Sequence, residues 1–215
     1  MINLCDVVHM NKLTKFIQLT LLLTGLAIFS TGCAFTRTKV AINFNPAVDS
    51  PVGPKSVAYL SVGDIKDTRP VEDKYVLTHK FDGYGNQTSG AFVTEQPVAE
   101  VFKQGLIEAL QTNGFARAES QKHLELRANI QEFDNRVIAG FLEATVKPEL
   151  TVRFELLDDN GTVVWRDTMI GRSTLQTPWG NGEFIVKTFN AAAEDAIRQL
   201  LADDSFRGYF LPKKT

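Results

Sequence analysis

The chain has 215 residues, 44% of them hydrophobic and 22% charged, with a net charge of −2 and two cysteines. That is ordinary globular composition, enough for one compact domain and a tether. The slight acidity argues against a nucleic-acid partner, which needs clustered positive charge to displace counterions; of the two cysteines, Cys5 would be lost with the N-terminal export signal described below, so no disulfide is expected to hold the core.

Residues 12 to 33 read KLTKFIQLTLLLTGLAIFSTGC: two lysines, an apolar run from Phe16 to Phe29, then small residues. This charged, apolar, small-residue order is that of an export signal. The run is short for a bilayer span, which takes roughly 20 apolar residues. Cys33, following Ser30, Thr31 and Gly32, resembles the lipobox of bacterial lipoproteins, with serine where leucine is usual. That resemblance implies cleavage just before Cys33 and a diacylglyceryl group on its thiol. Two or three acyl chains, at about 0.8 kcal/mol per buried methylene, make a stable anchor where one is marginal. The competing readings are an ordinary cleaved signal peptide and a buried N-terminal helix. Asp6 is out of place in a signal n-region, which makes Met10 a candidate start. Ala34, where inner-membrane retention by resemblance to enterobacterial lipoproteins uses aspartate, implies the periplasmic face of the outer membrane. The chain thus divides into a signal (1–32), a lipidated N-terminus with a short strand and tether (33–55), and a periplasmic domain (56–215).

Val40, Ile42 and Phe44 alternate in TKVAINF, the period-2 mark of a strand. Pro46, Pro51 and Pro54 then make an extended connector. SVAYLSV predicts an inner strand ending at Gly63, and YVLTHKF (75–81) another; residues 82–90, DGYGNQTSG, read as a loop. A helix is predicted from Pro97, a favoured first-turn residue, with Val98, Val101, Phe102, Gly105, Ala109 and Leu110 as its stripe and Asn113-Gly114 as its stop. Leu124, Leu126, Ala128 and Ile130 alternate with Glu125, Arg127, Asn129 and Gln131, so one face is core and the other water. Leu150, Val152, Phe154 and Leu156 repeat the pattern over 144–157, where Pro148 suggests a bulge or an edge. Asp158-Asp159-Asn160-Gly161 is a hairpin turn, with Thr162 to Leu175 as the returning strand. A second helix from Glu183 to Leu201 carries Ile185, Phe189, Ala192, Ala193, Ala196, Ile197 and Leu200, and Ala191 to Ala193 allow close approach to the sheet. Phe206, Tyr209 and Phe210 are expected to pack back on the core. The sum is an α+β domain: a mostly antiparallel sheet with two amphipathic helices packed on one face.

Candidate chemistry is sparse. No zinc, serine-hydrolase, nucleotide or dinucleotide spacing occurs, so no cofactor, metal or catalytic residue is expected. His79 and His123 have no evident catalytic partner. Asp64, Asp67 and Arg69 could bind a polar partner, or simply turn the chain and form a salt bridge. Tyr84 and Trp179, each among loop glycines, are candidate docking anchors.

The STGC lipobox, the strand ending in DIKDTR, the helix ending in LQTNGF, LELRANIQEF, the LTVRFELLDDNGTVVWRDT hairpin and the last helix running to SFRGYF together resemble the YajG family of enterobacterial lipoproteins. The resemblance implies an outer-membrane lipoprotein of unassigned role, with no catalytic residues to carry over. The leading expectation is a non-enzymatic domain, held to the membrane through Cys33, that binds another envelope protein. The alternatives are a carrier or sensor of a small apolar or glycan ligand held between helix and sheet, and a hydrolase of envelope polymers.

Overall fold

The computed structural model describes residues 35–44, 58–81, 84, 86–115, 123–139, 144–177 and 182–211. The elements are β1 (Arg37–Lys39), β2 (Tyr59–Asp67), β3 (Val76–Phe81), β4 (Gln87–Val93), α1 (Val98–Thr112), β5 (His123–Ala139), β6 (Ala144–Leu157), β7 (Val163–Arg172), β8 (Leu175–Thr177), α2 (Gly182–Ala202) and α3 (Asp204–Arg207). The fold is α+β, as the alternating and helical periods predict. Five strands form one sheet in the order β2-β5-β6-β7, with β8 also paired to β6, and three form a second in the order β1-β4-β3. Within the larger sheet β2 runs parallel to β5, and the other pairings are antiparallel. The chain divides into two compact units, residues 1–37 with 79–91, and 38–78 with 92–215.

In the larger unit the register places Leu126 against Leu156, Ala128 against Phe154 and Ile130 against Val152. Antiparallel partners point the same way, so these side chains form one apolar face. Helix α1 covers it at β2 and α2 covers it at β6 and β7. Helix α1 buries Val98, Phe102, Gly105, Leu106, Ala109 and Leu110, so Leu106 belongs to the stripe and Val101 lies at its margin. Gly114 has φ 80°, as the left-handed stop requires. Helix α2 buries Phe189, Ala192, Ala193, Ala196, Ile197 and Leu200. A Cβ on Gly171 of β7 would run into the backbone carbonyl of Ala192; glycine facing alanine is what lets helix and strand approach this closely.

Several expectations are corrected. Strand β2 does not stop at Gly63 but continues to Asp67 past an irregularity between Val62 and Ile65. Residues 40–44 are not strand. Their alternation is real, with Val40 and Phe44 buried, but Phe44 packs between the helices, 5.9 Å from Phe102 and 6.2 Å from Phe189. Gln87 to Gly90, read as loop, belong to β4. Pro148 marks neither an edge nor a bulge: it lies between Val146, paired with β8, and Glu149, paired with β7. Its missing N–H falls where β7 gives way to β8, so no ladder bond is lost there.

The end of the chain folds back as expected. Phe115, Phe206 and Phe210 form a buried aromatic cluster with centroids 5.1 to 5.6 Å apart. Asp203 caps α3 by accepting from the Phe206 N–H at 2.6 Å.

Candidate functional site

The strand extension separates the predicted acidic cluster. On a strand, residues three apart point to opposite faces, and Asp64 is exposed while the Asp67 side chain is only 3% exposed. Asp67 holds Arg69 in a two-point ion pair, Nε to Oδ1 at 2.9 Å and Nη2 to Oδ2 at 2.7 Å. The guanidinium also donates to the Leu77 and Val76 carbonyls, both at 3.0 Å. Arg69 therefore clamps the end of β2 to the start of β3. Its donors are engaged inside the protein, and Asp67 and Arg69 present nothing to a partner.

Asp64 belongs elsewhere, on the face of the larger sheet that neither helix covers. Glu125, Arg127 and Asn129 of β5 point there, beside Arg153 and Glu155 of β6, Arg166 of β7 and Lys66 of β2. These are the polar positions of the same alternation that builds the core. Charges interleave: Arg127 pairs with Glu125 at 2.5 Å, and Glu155 holds Arg166 at 2.8 Å and Arg153 at 3.4 Å. The Arg127 guanidinium is held above its ordinary pKa first by its hydrogen bond to Glu125 and then by that carboxylate's charge. That 3.4 Å contact of the Arg153 Nε is an ion pair without hydrogen-bond geometry.

Two grooves open on this face. One, of about 320 Å³, is bounded by Asp64, Lys66, Arg127, Asn129, Arg153 and Glu155. The other, of about 580 Å³, lies toward the β7–β8 junction among Glu132, Asp134, Lys147, Glu149 and Arg172. Side chains of both signs line each groove, so the face suits a polar, charge-patterned surface better than a single ion. Among the described residues no three metal-ligating side chains converge.

The outer edge of β7 is engaged by side chains at three places. The Tyr209 hydroxyl donates to the Val164 carbonyl at 2.6 Å, Gln199 donates to the Ile170 carbonyl at 3.0 Å, and the Arg172 N–H donates to Asp195 at 2.9 Å. Side chains that occupy edge backbone groups prevent sheet extension.

Tyr84 is 94% exposed, in the smaller unit. Cys33 and Trp179 lie outside the described residues. His123 is exposed, with Nδ1 3.7 Å from Asp159, and His79 is half-buried in β3.

No protein-family model matches the chain, and no curated protein sequence matches it. The YajG resemblance therefore has no family model behind it. Among solved structures, a Xanthomonas campestris protein of family DUF330 superposes with a TM-score of 0.50 at 13% identity, over 77% of this chain and 92% of that one. A minor lipoprotein of Acinetobacter baumannii gives 0.39 at 15% identity, over 69% of this chain and 95% of that one. A lipoprotein of Neisseria meningitidis gives 0.24 at 13%, over 63% and 94%. The first likeness shows a shared fold. The other two are looser, and their descriptions as lipoproteins belong to those proteins. No helix among the described residues is long and apolar enough to cross a membrane.

Proposed function

We propose that this chain is a bacterial lipoprotein, acylated on Cys33 and held at the periplasmic face of the outer membrane, whose non-enzymatic body docks onto another envelope protein. The observation that carries the docking half is the face of the five-stranded sheet that, among the described residues, neither long helix covers. Both long helices lie on the other face, and this one offers interleaved Arg, Lys, Asp and Glu side chains around two grooves. Such patterning gives specificity and register to a partner of complementary pattern. With these β7 edge groups engaged, strand addition there is disfavoured, and the partner reads side chains. The anchoring half rests on the order of residues 12 to 33 and the STGC sequence.

The ligand-carrier reading required space between helix and sheet. The residues there include Leu126, Ile130, Phe154, Ala192, Ala193 and Ile197, all fully buried against one another, and both grooves open on the opposite side. The test of docking is photocrosslinking in cells from Lys66 and Arg127, with the exposed Gln111 of α1 as control. A discrete adduct from both sheet positions, the one from Lys66 lost on Arg127→Glu with Arg153→Glu, is the expected result. Equal background at all three positions overturns the docking face.

A further inference from the structure

In the smaller unit, three large apolar side chains are turned to solvent: Phe35 is 58% exposed, Phe81 59% and Tyr84 94%. The other phenylalanines among the described residues are buried or partly buried. The three exposed side chains are not scattered. Lys80 Nζ donates to Thr36 Oγ1 at 3.2 Å, so Phe35 and Phe81 are the chain neighbours of two residues in contact. Strand β4 joins them, the Ala91 N–H donating to the Thr36 carbonyl at 3.3 Å and Thr88 Oγ1 to the Lys80 carbonyl at 3.1 Å. Tyr84 follows Phe81 by three residues in the β3–β4 connection.

Chain length decides what lies opposite. Phe35 is two residues from Cys33, and two residues of extended chain reach about 7 Å at most. The headgroup layer of one leaflet is about 5–8 Å thick. If Cys33 bears the acyl chains, Phe35 cannot be far from that layer, and Phe81 comes with it through the Lys80–Thr36 contact. Aromatic rings favour the boundary between headgroups and acyl chains. Arg37 and Lys80 are cations in the same short segments as the aromatics, and Asp82 is the one acidic residue in the sequence from 79 to 91. A lysine stem lying in apolar surroundings with its ammonium in the headgroups is the usual interfacial arrangement.

We infer that Phe35, Phe81 and Tyr84 form a membrane-contacting rim that inserts into the interfacial layer of a phospholipid leaflet, so that the smaller unit rests on the bilayer instead of hanging free from its anchor. This rests on the lipoprotein reading of Cys33, and the experiment separates the two. Acylation blocks the Cys33 thiol and processing removes Cys5, so an introduced cysteine is the sole free thiol of the lipidated chain. Phe81→Cys, Tyr84→Cys and, as control, Gln111→Cys are labelled with an environment-sensitive fluorophore. Each full-length lipidated protein is reconstituted into vesicles of phosphatidylethanolamine and phosphatidylglycerol carrying shallow acyl-chain nitroxides. The expected result is an acylated mass with quenching at least threefold stronger at 81 and 84 than at 111. An acylated mass with equal quenching at all three sites overturns the rim and leaves the anchor standing. An unacylated mass overturns both.

Discussion

Arg69 shows how little a cluster of charges in a sequence says until the backbone between them is known. The one-letter run DIKDTR suggested three groups converging on a turn. In the structure the strand persists, Asp64 goes to water, and Asp67 closes on Arg69 beneath β3. The legible part was the salt bridge; the illegible part was where β2 ends, which the parallel pairing to β5 decides. Removing one partner of a buried ion pair costs about 3–5 kcal/mol, because the other charge is left without compensation. Arg69→Ala is therefore expected to lower the melting temperature by on the order of 10 °C, measured by circular dichroism; an unchanged melt contradicts the clamp. Asp158 makes a prediction of a different kind. Its carboxylate accepts the Thr162 and Asn160 N–H groups, each at 2.9 Å, and these bonds hold its pKa below the ordinary value, Thr162 contributing most. A depressed carboxyl stabilises the fold fully above its unfolded pKa of about 3.9 and loses that contribution as pH falls through the folded value. The stability difference between the native chain and Asp158→Ala should be constant above about pH 5 and shrink below about pH 4, read by denaturant titration across that range.

Elements were legible in proportion to how regular their burial is. Both helices carry a 3.6-residue stripe and were readable, as was the hairpin at Asn160-Gly161, where Gly161 takes φ 76°. Strand β4 was not, because QTSG, its first four residues, has the composition of a loop. It forms because it is the middle strand of its sheet, with β1 on one side and β3 on the other, and tertiary pairing overrides weak propensity. Residues 40–44 fail in the opposite direction: their alternating burial is genuine, but helices supply the cover. The same close packing governs α2, where the Gly171 contact leaves no room for a methyl group. The obstacle is backbone and not a flexible side chain, so Gly171→Ala must lift the helix. Overpacking of this kind costs about 1–3 kcal/mol, several degrees of melting temperature for a domain of this size. A melt as high as that of the native chain would show that α2 has more freedom than its contacts allow.

At the scale of the whole molecule, the anchoring proposal rests on the sequence and the docking proposal on the fold. The STGC sequence, which resembles a lipobox, and the apolar run before it are local features, and no packing is needed to read them. The uncovered sheet face was half-legible: Glu125, Arg127 and Asn129 were recognisable as the wet side of a strand. That β2, β6 and β7 would add Lys66, Arg153, Glu155 and Arg166 to them depends on strand order and register, which no single strand encodes. The docking proposal and the aromatic rim both presuppose a chain held by lipid at Cys33. The most direct test is labelling with radioactive palmitate in growing bacteria, with and without globomycin, which blocks removal of lipoprotein signals. The expected result is a labelled product that becomes a larger labelled precursor under globomycin and loses all label in Cys33→Ser. An unlabelled product whose size globomycin leaves unchanged would contradict the account at its root.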